Sequence, residues 1–240
     1  MNFKNVGILD DSIGGLKLLK DLEFLYNEKY VYFADLKEYP YGMKKRSIES
    51  LVQNALYTVM EMNLKVLVVT NPAMSYYIND LSILKIDGIK RALSDLSDKK
   101  LLVLGSEISI NNEILNEYLK DYKAINAQML INMPHDGDNN YFIINELISE
   151  YIGDYSGDVL LFDSNLSLLR KYFEKNKNIT VHTLNDYILM DMDEFFTDDL
   201  RHLKSIKTKV NYYVSDYRIA FYKSAEEFLE GRYSSVRKLK

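Results

Sequence analysis

Short apolar runs alternate with helix-patterned stretches along the whole of this 240-residue chain. The runs fall at 6–9, 30–34, 66–70, 101–105, 123–127, 159–162, 179–183 and 212–214. They are nearly continuous rather than alternating, which suits strands covered on both faces. Helical patterns lie between them at 16–26, 47–62, 111–119, 141–151, 166–174 and 217–229, with Ser47 placed to cap the second. Strand–helix alternation predicts an α/β fold with largely parallel sheets. Ligands in such folds sit beyond the carboxyl ends of the strands.

Composition narrows the chemistry. The chain has no cysteine, so disulfides, thiolate metal sites and cysteine nucleophiles are excluded. A net charge of −5 gives no electrostatic footprint for nucleic acid. The basic tail, Arg232 and Arg237 to Lys240, reads as a solvated end. No apolar run is long enough for a membrane span, and the N-terminus has no signal-peptide core, so a cytoplasmic location is expected. The three histidines, His135, His182 and His202, form no helical ligand pair. The loop 136–140 lacks the glycine and glutamate of a calcium loop. No metal and no cofactor are therefore expected.

Weak boundaries appear at the polar stretch 94–100 and the basic stretch 201–209. They divide the chain into a first α/β domain, 1–95 plus 208–240, and a second, 96–207. Each half places a polar cluster after a buried strand: Thr70-Asn71-Pro72 and Asp163-Ser164-Asn165. Two similar domains would give such an echo. The first strand runs into Asp10-Asp11-Ser12-Ile13-Gly14-Gly15, which aims polar side chains and free N–H groups into a crevice.

These residues resemble a family. Gly7-Ile8-Leu9-Asp10-Asp11-Ser12-Ile13-Gly14-Gly15-Leu16 is similar to the opening motif of the glutamate racemases, in the aspartate/glutamate racemase superfamily. Tyr32 to Asp35, followed by Tyr39-Pro40-Tyr41-Gly42, is similar to that family's second substrate loop. Gly105 to Ile110 resembles its Gly-Thr-x-Ala-Thr-Ile segment. Tyr213 to Asp216, with Phe221, Ala225, Phe228 and Leu229, resembles its C-terminal strand and helix. Segments 83–95 and 128–140 match poorly. The resemblance implies two similar α/β domains with a cleft between them, and from the resemblance alone a homodimer is expected.

That family moves the α-proton of glutamate with two cysteines. The first lies in Cys-Asn-Thr-Ala, which here reads Thr70-Asn71-Pro72-Ala73; the second lies in Gly-Cys-Thr-His, which here reads Phe162-Asp163-Ser164-Asn165. The resemblance thus puts Thr70 and Asp163 at the two thiol positions, or Asn71 at the first if the match slips by one. Asp10, Thr70 and Asp163 are the catalytic-position residues. The ligand-binding candidates are Asp11, Ser12, Pro40, Tyr41, Gly42, Asn71, Ser109, Ser164 and Asn165. A threonine hydroxyl is no base without an activating partner. An ordinary aspartate is a weak one unless burial raises its pKa.

Three functions compete. The first is a racemase-fold protein that binds a small acidic, amino-acid-like ligand without two-cysteine chemistry. The second is a racemase or epimerase using Asp163 and another group. The third is a scaffold or interaction protein. Each site residue also has a plain structural use. Asp10 suits a helix start, Gly14-Gly15 suits tight packing, 39–42 suits a turn, and Asp163-Ser164-Asn165 suits a helix cap.

Overall fold

The computed structural model describes residues 4–44, 47–138, 140–196, 209–229 and 236–239. Two parallel sheets carry the fold. The first has β1 (Asn5–Asp10), β2 (Lys29–Ala34), β3 (Leu64–Val69), β4 (Leu84–Ile86), β9 (Lys209–Val214) and β10 (Arg237–Lys238), in the order β10-β9-β2-β1-β3-β4. The second has β5 (Lys100–Gly105), β6 (Asp121–Asn126), β7 (Gly157–Phe162) and β8 (Ile179–Thr183), in the order β6-β5-β7-β8. The run β2-β1-β3-β4 has the same order as β6-β5-β7-β8. The chain therefore builds two similar α/β units. β1 and β5 occupy equivalent places, and so do β3 and β7.

Helices cover both faces of each sheet, as parallel strands require. On the first sheet, α1 (Gly15–Leu25) and α12 (Ile219–Leu229) pack one face, and α2 (Ile48–Met60) the other. On the second, α7 (Gln128–Asp136) and α8 (Tyr141–Ile152) pack one face. α4 (Ile89–Asp95) and α6 (Ile114–Tyr118) pack the other. α11 (Leu184–Phe195) belongs to both units: Ile188 and Met192 join the first sheet's core, Leu184 and Tyr187 the second's. Among the described residues no helix is long and apolar enough to cross a membrane.

Several expectations need correction. The helix expected at 111–119 shortens to α6, with α5 (Glu107–Ile110) before it, because Asn111 and Asn112 favour a turn and Asn112 Oδ1 accepts from the Ile114 N–H at 3.0 Å. The helix expected at 166–174 starts earlier and divides into α9 (Ser164–Leu168) and α10 (Arg170–Phe173). Ser47 precedes α2, yet its side chain makes no cap bond. Arg237 and Lys238 are exposed, as a solvated end would have them, and their backbone pairs in parallel with Tyr213 and Val214. The boundary stretch 94–100 is entered by α4. α11 is capped by a reciprocal Thr183–Asp186 box. Expectations on 201–208, Asn139, Arg232 and Lys240 lie outside the described residues, as do the side chains of Ala225, Phe228 and Leu229.

Candidate functional site

Parallel strands bring polar residues together at their carboxyl ends, and here both sheets point those ends at each other. Asp10 closes β1, Thr70 follows β3, Ser106 follows β5 and Asp163 follows β7. β5 and β7 are central in the second sheet, and β1 and β3 hold the equivalent places in the first, where the order reverses and a crevice opens. All four residues are buried.

Asp10 is the hub. Its Oδ2 accepts from the Gly15 N–H at 2.6 Å and the Tyr32 hydroxyl at 2.9 Å. Its Oδ1 accepts from the Asp11 N–H at 2.9 Å and, across the cleft, from the Ser164 hydroxyl at 3.3 Å. Four donors hold the carboxyl group rigidly. A Cβ placed on Gly15 would stand 2.8 Å from Asp10 Oδ2 and 3.2 Å from Thr70 Cγ2, so Asp10 and Thr70 share one spot.

Thr70 donates its hydroxyl to the Leu9 carbonyl at 3.3 Å. Asn71 caps α3 (Pro72–Ser75) by accepting from the Met74 N–H, and its side chain also bonds Asp11. Counted from the strand end, Thr70 corresponds to Asp163; counted from the helix cap, Asn71 does. Asp163 uses one oxygen as a cap, accepting from the Asn165 N–H at 2.9 Å. Its Oδ2 is buried without a partner.

Asp10, Asp11 and Asp163 thus lie together. Burial, then the Asp10 and Asp163 carboxylates, push Asp11 well above the ordinary carboxylate range. Burial likewise pushes Asp163 up to about 7; the Asn165 N–H opposes this, and Asp10 adds to it. Among the described residues, no group of His, Asp and Glu is placed to hold a metal ion.

Direct contacts close the two units on each other. The Gly14 N–H donates to Asn165 Oδ1 at 2.9 Å, and Asn165 Nδ2 donates to Ser12 Oγ and the Ile131 carbonyl, each at 3.0 Å. Ser12 Oγ meets His135 Nδ1 at 2.9 Å. The His135 ring stacks on Tyr39 with centroids 3.6 Å apart, and the Tyr39 hydroxyl donates to Asn132 Oδ1 at 2.9 Å. Tyr41 is buried: its N–H donates to Asp11 Oδ2 and its hydroxyl to Asp35. Pro40 is half-buried before the 3-10 turn Tyr41–Met43. Gly42 is required there, because a Cβ would lie 2.2 Å from Ser106 Oγ. Ser106 and Ser109 share a hydroxyl–hydroxyl bond of 2.7 Å.

The residues singled out from sequence therefore meet in one buried cluster. Sequence reading missed Tyr32, Ser106, Gln128, Asn132 and His135. The last three sit on α7, whose register was obscured by Pro134 within its final turn. A separate hollow of about 940 Å³ lies behind α3, beside Ser75, Lys85 and Arg91, and contains none of the predicted residues.

His135 gives the closed cleft a pH dependence of its own. Burial, with Arg218 beside it and against Asp10, lowers its pKa to about 4. The unfolded chain takes up a proton near pH 6.5 that the folded ring refuses. Its contribution is therefore complete above pH 6.5 and lost as pH falls toward 4. Urea denaturation should show the unmodified protein losing about 2 kcal/mol relative to His135→Phe over that interval, the solvent-facing part of the ring discounted. Parallel curves for the two proteins would contradict this.

No protein-family model matches the chain. Glutamate racemase from Clostridium novyi is 30% identical over 140 residues, covering 54% of this chain and 54% of that protein. Glutamate racemase from Halothermothrix orenii is 32% identical over 129 residues, covering 50% of this chain and 51% of that protein. The chain thus spans about half the length of the curated relatives it matches. The crystal structure of Francisella tularensis glutamate racemase in complex with D-glutamate superposes with a TM-score of 0.82 at 19% identity, covering 100% of this chain and 98% of that one. The chain is thus similar to glutamate racemases over about half its length and shares their fold. Unlike the two-cysteine site that the sequence resemblance implies, this chain contains no cysteine.

Proposed function

We propose that this racemase-like protein binds a small carboxylate-bearing, amino-acid-like ligand between its two units and does not carry out two-thiol racemisation. The observation that carries this reading is the state of the two strand-end groups. Thr70 spends its hydroxyl on a backbone carbonyl, and Asp163 leaves one buried oxygen open. Removing one positioned base typically costs about 10²–10⁴ in rate, so two such losses leave little proton transfer. The binding groups are in better order. Ser164, Asn71 and the Ser106–Ser109 pair are hydroxyl and amide groups suited to a carboxylate, and Asp163 Oδ2 suits an ammonium. The Francisella relative was crystallised with D-glutamate, which supports the same ligand class here.

The site residues are buried, so a ligand enters only when the two units part. The test is a thermal-shift panel of D- and L-glutamate, aspartate, glutamine and asparagine. At least one should raise the melting temperature in a saturable way. No shift with any of them would sink the reading.

One observation favours a second reading. A carboxyl group titrating near 7 is poised for acid–base work at neutral pH. If Asp163 acts as a single base, the protein should exchange ligand α-hydrogen for deuterium, and Asp163→Asn should abolish that exchange.

A further inference from the structure

Gln128 opens α7 directly after β6, its N–H donating to Asn126 Oδ1 at 3.0 Å. Its Nε2 donates to Asn132 Oδ1 at 2.8 Å, the same oxygen that accepts from Tyr39 across the cleft. In this arrangement Nε2, not Oε1, is turned to Asn132. Oε1 is left shut from solvent with no partner. It lies 3.7 Å from the point where a Gly42 Cβ would stand, and Ser106 Oγ borders the same point. Oε1 therefore faces the Tyr41-Gly42 turn, beside the Ser106–Ser109 pair.

Gln128 Oε1 and Asp163 Oδ2 are both open, buried acceptors bordering the cleft. Buried acceptors call for donors. The surrounding charge argues in the same direction. Asp10, Asp11 and Asp163 crowd the crevice. A second carboxylate on the ligand would add like charge, whereas an amide adds the missing donor without charge.

We infer that Gln128 is a specificity-determining residue: its Oε1 reads a hydrogen-bond donor at the far end of the ligand, so the cleft takes an amino acid with a side-chain amide in preference to the matching diacid. The inference rests on the proposed reading of the cleft as an amino-acid site. In that complex the ligand ammonium meets Asp163 Oδ2, and the side-chain amide N–H meets Gln128 Oε1. A site built around a hydrogen bond discriminates strongly against a partner that cannot complete it.

Calorimetric titration of the full chain with both enantiomers of glutamine and glutamate tests this. One glutamine enantiomer should bind at least about ten-fold tighter than the same enantiomer of glutamate. Gln128→Leu should erase that ratio by weakening glutamine alone, while Gln128→Glu, which keeps an acceptor, should retain it. Melting curves confirm that both variants are folded. Equal or tighter glutamate binding, or an unchanged ratio in Gln128→Leu, would overturn the inference and leave the cleft reading standing. If no amino acid binds at all, the cleft reading fails and this inference fails with it.

Discussion

Asp163→Asn should make the protein more stable at pH 8. The carboxyl at this position is buried, and its pKa is pushed from 3.8 up to about 7. Between those values the unfolded chain has released a proton that the folded chain still holds. Stability from this group is therefore greatest at acid pH and is lost as pH rises through 7. A shift of this size corresponds to roughly 4 kcal/mol once the folded group is ionised, an upper bound for a buried group beside other acids. Asparagine keeps the oxygen that caps α9 and carries no charge. We expect a gain of roughly 2–4 kcal/mol over the unmodified protein at pH 8, shrinking toward zero at pH 4, by urea denaturation. His135 acts with the opposite sign between pH 4 and 6.5, so the comparison is between proteins at each pH. A destabilised variant at pH 8 would mean that Asp163 is paired in solution. Such a variant also loses the anchor for a ligand ammonium, so tighter folding should accompany weaker binding.

Gly14→Ala should have the second large effect, in the other direction. A Cβ at this position would lie 2.2 Å from the Ser164 carbonyl carbon and 2.5 Å from the Asn165 nitrogen. These are backbone atoms of the opposite unit, so no side chain can move aside. The Gly14 N–H bond to Asn165 would break as well. Overpacking of this kind typically costs about 1–3 kcal/mol, and the lost buried bond adds to it. We expect roughly 3 kcal/mol in total, lowering the melting temperature by about 6–10 °C for a protein of this size. Because the clash lies at the closure surface, the variant should also scatter X-rays as a more open particle. Unchanged stability and an unchanged radius of gyration would show that the two units are not held together at this point.

The strand pattern was legible because parallel strands buried on both faces leave a strong apolar signature. Even the echo between Thr70-Asn71-Pro72 and Asp163-Ser164-Asn165 has a structural basis, since these clusters follow the equivalent strands β3 and β7. The site was half legible. Asp10, Thr70 and Asp163 stand next to strands and inherit that signal. Gln128, Asn132 and His135 stand on α7, where Asn132 and His135 meet the opposite unit and Pro134 in the last turn obscured the helix. The signal that could have found them is positional: Gln128 follows β6 at the carboxyl edge of a parallel sheet. The late start of α6 and the pairing of β10 were hidden for a different reason, because Asn-rich breaks and two-residue strands carry little periodicity.

Proton NMR of D- and L-glutamate and glutamine in D₂O, with the protein present, tests the central claim most directly. One spectrum reports binding through saturation transfer from protein to ligand, and α-hydrogen exchange through loss of the α-proton signal. The account predicts saturation transfer to at least one amino acid, with its α-proton retained over a day. Rapid loss of the α-proton would contradict it by showing that Asp163 and a partner do the work of two thiols. Absence of any saturation transfer would contradict it by showing that the cleft is no amino-acid site.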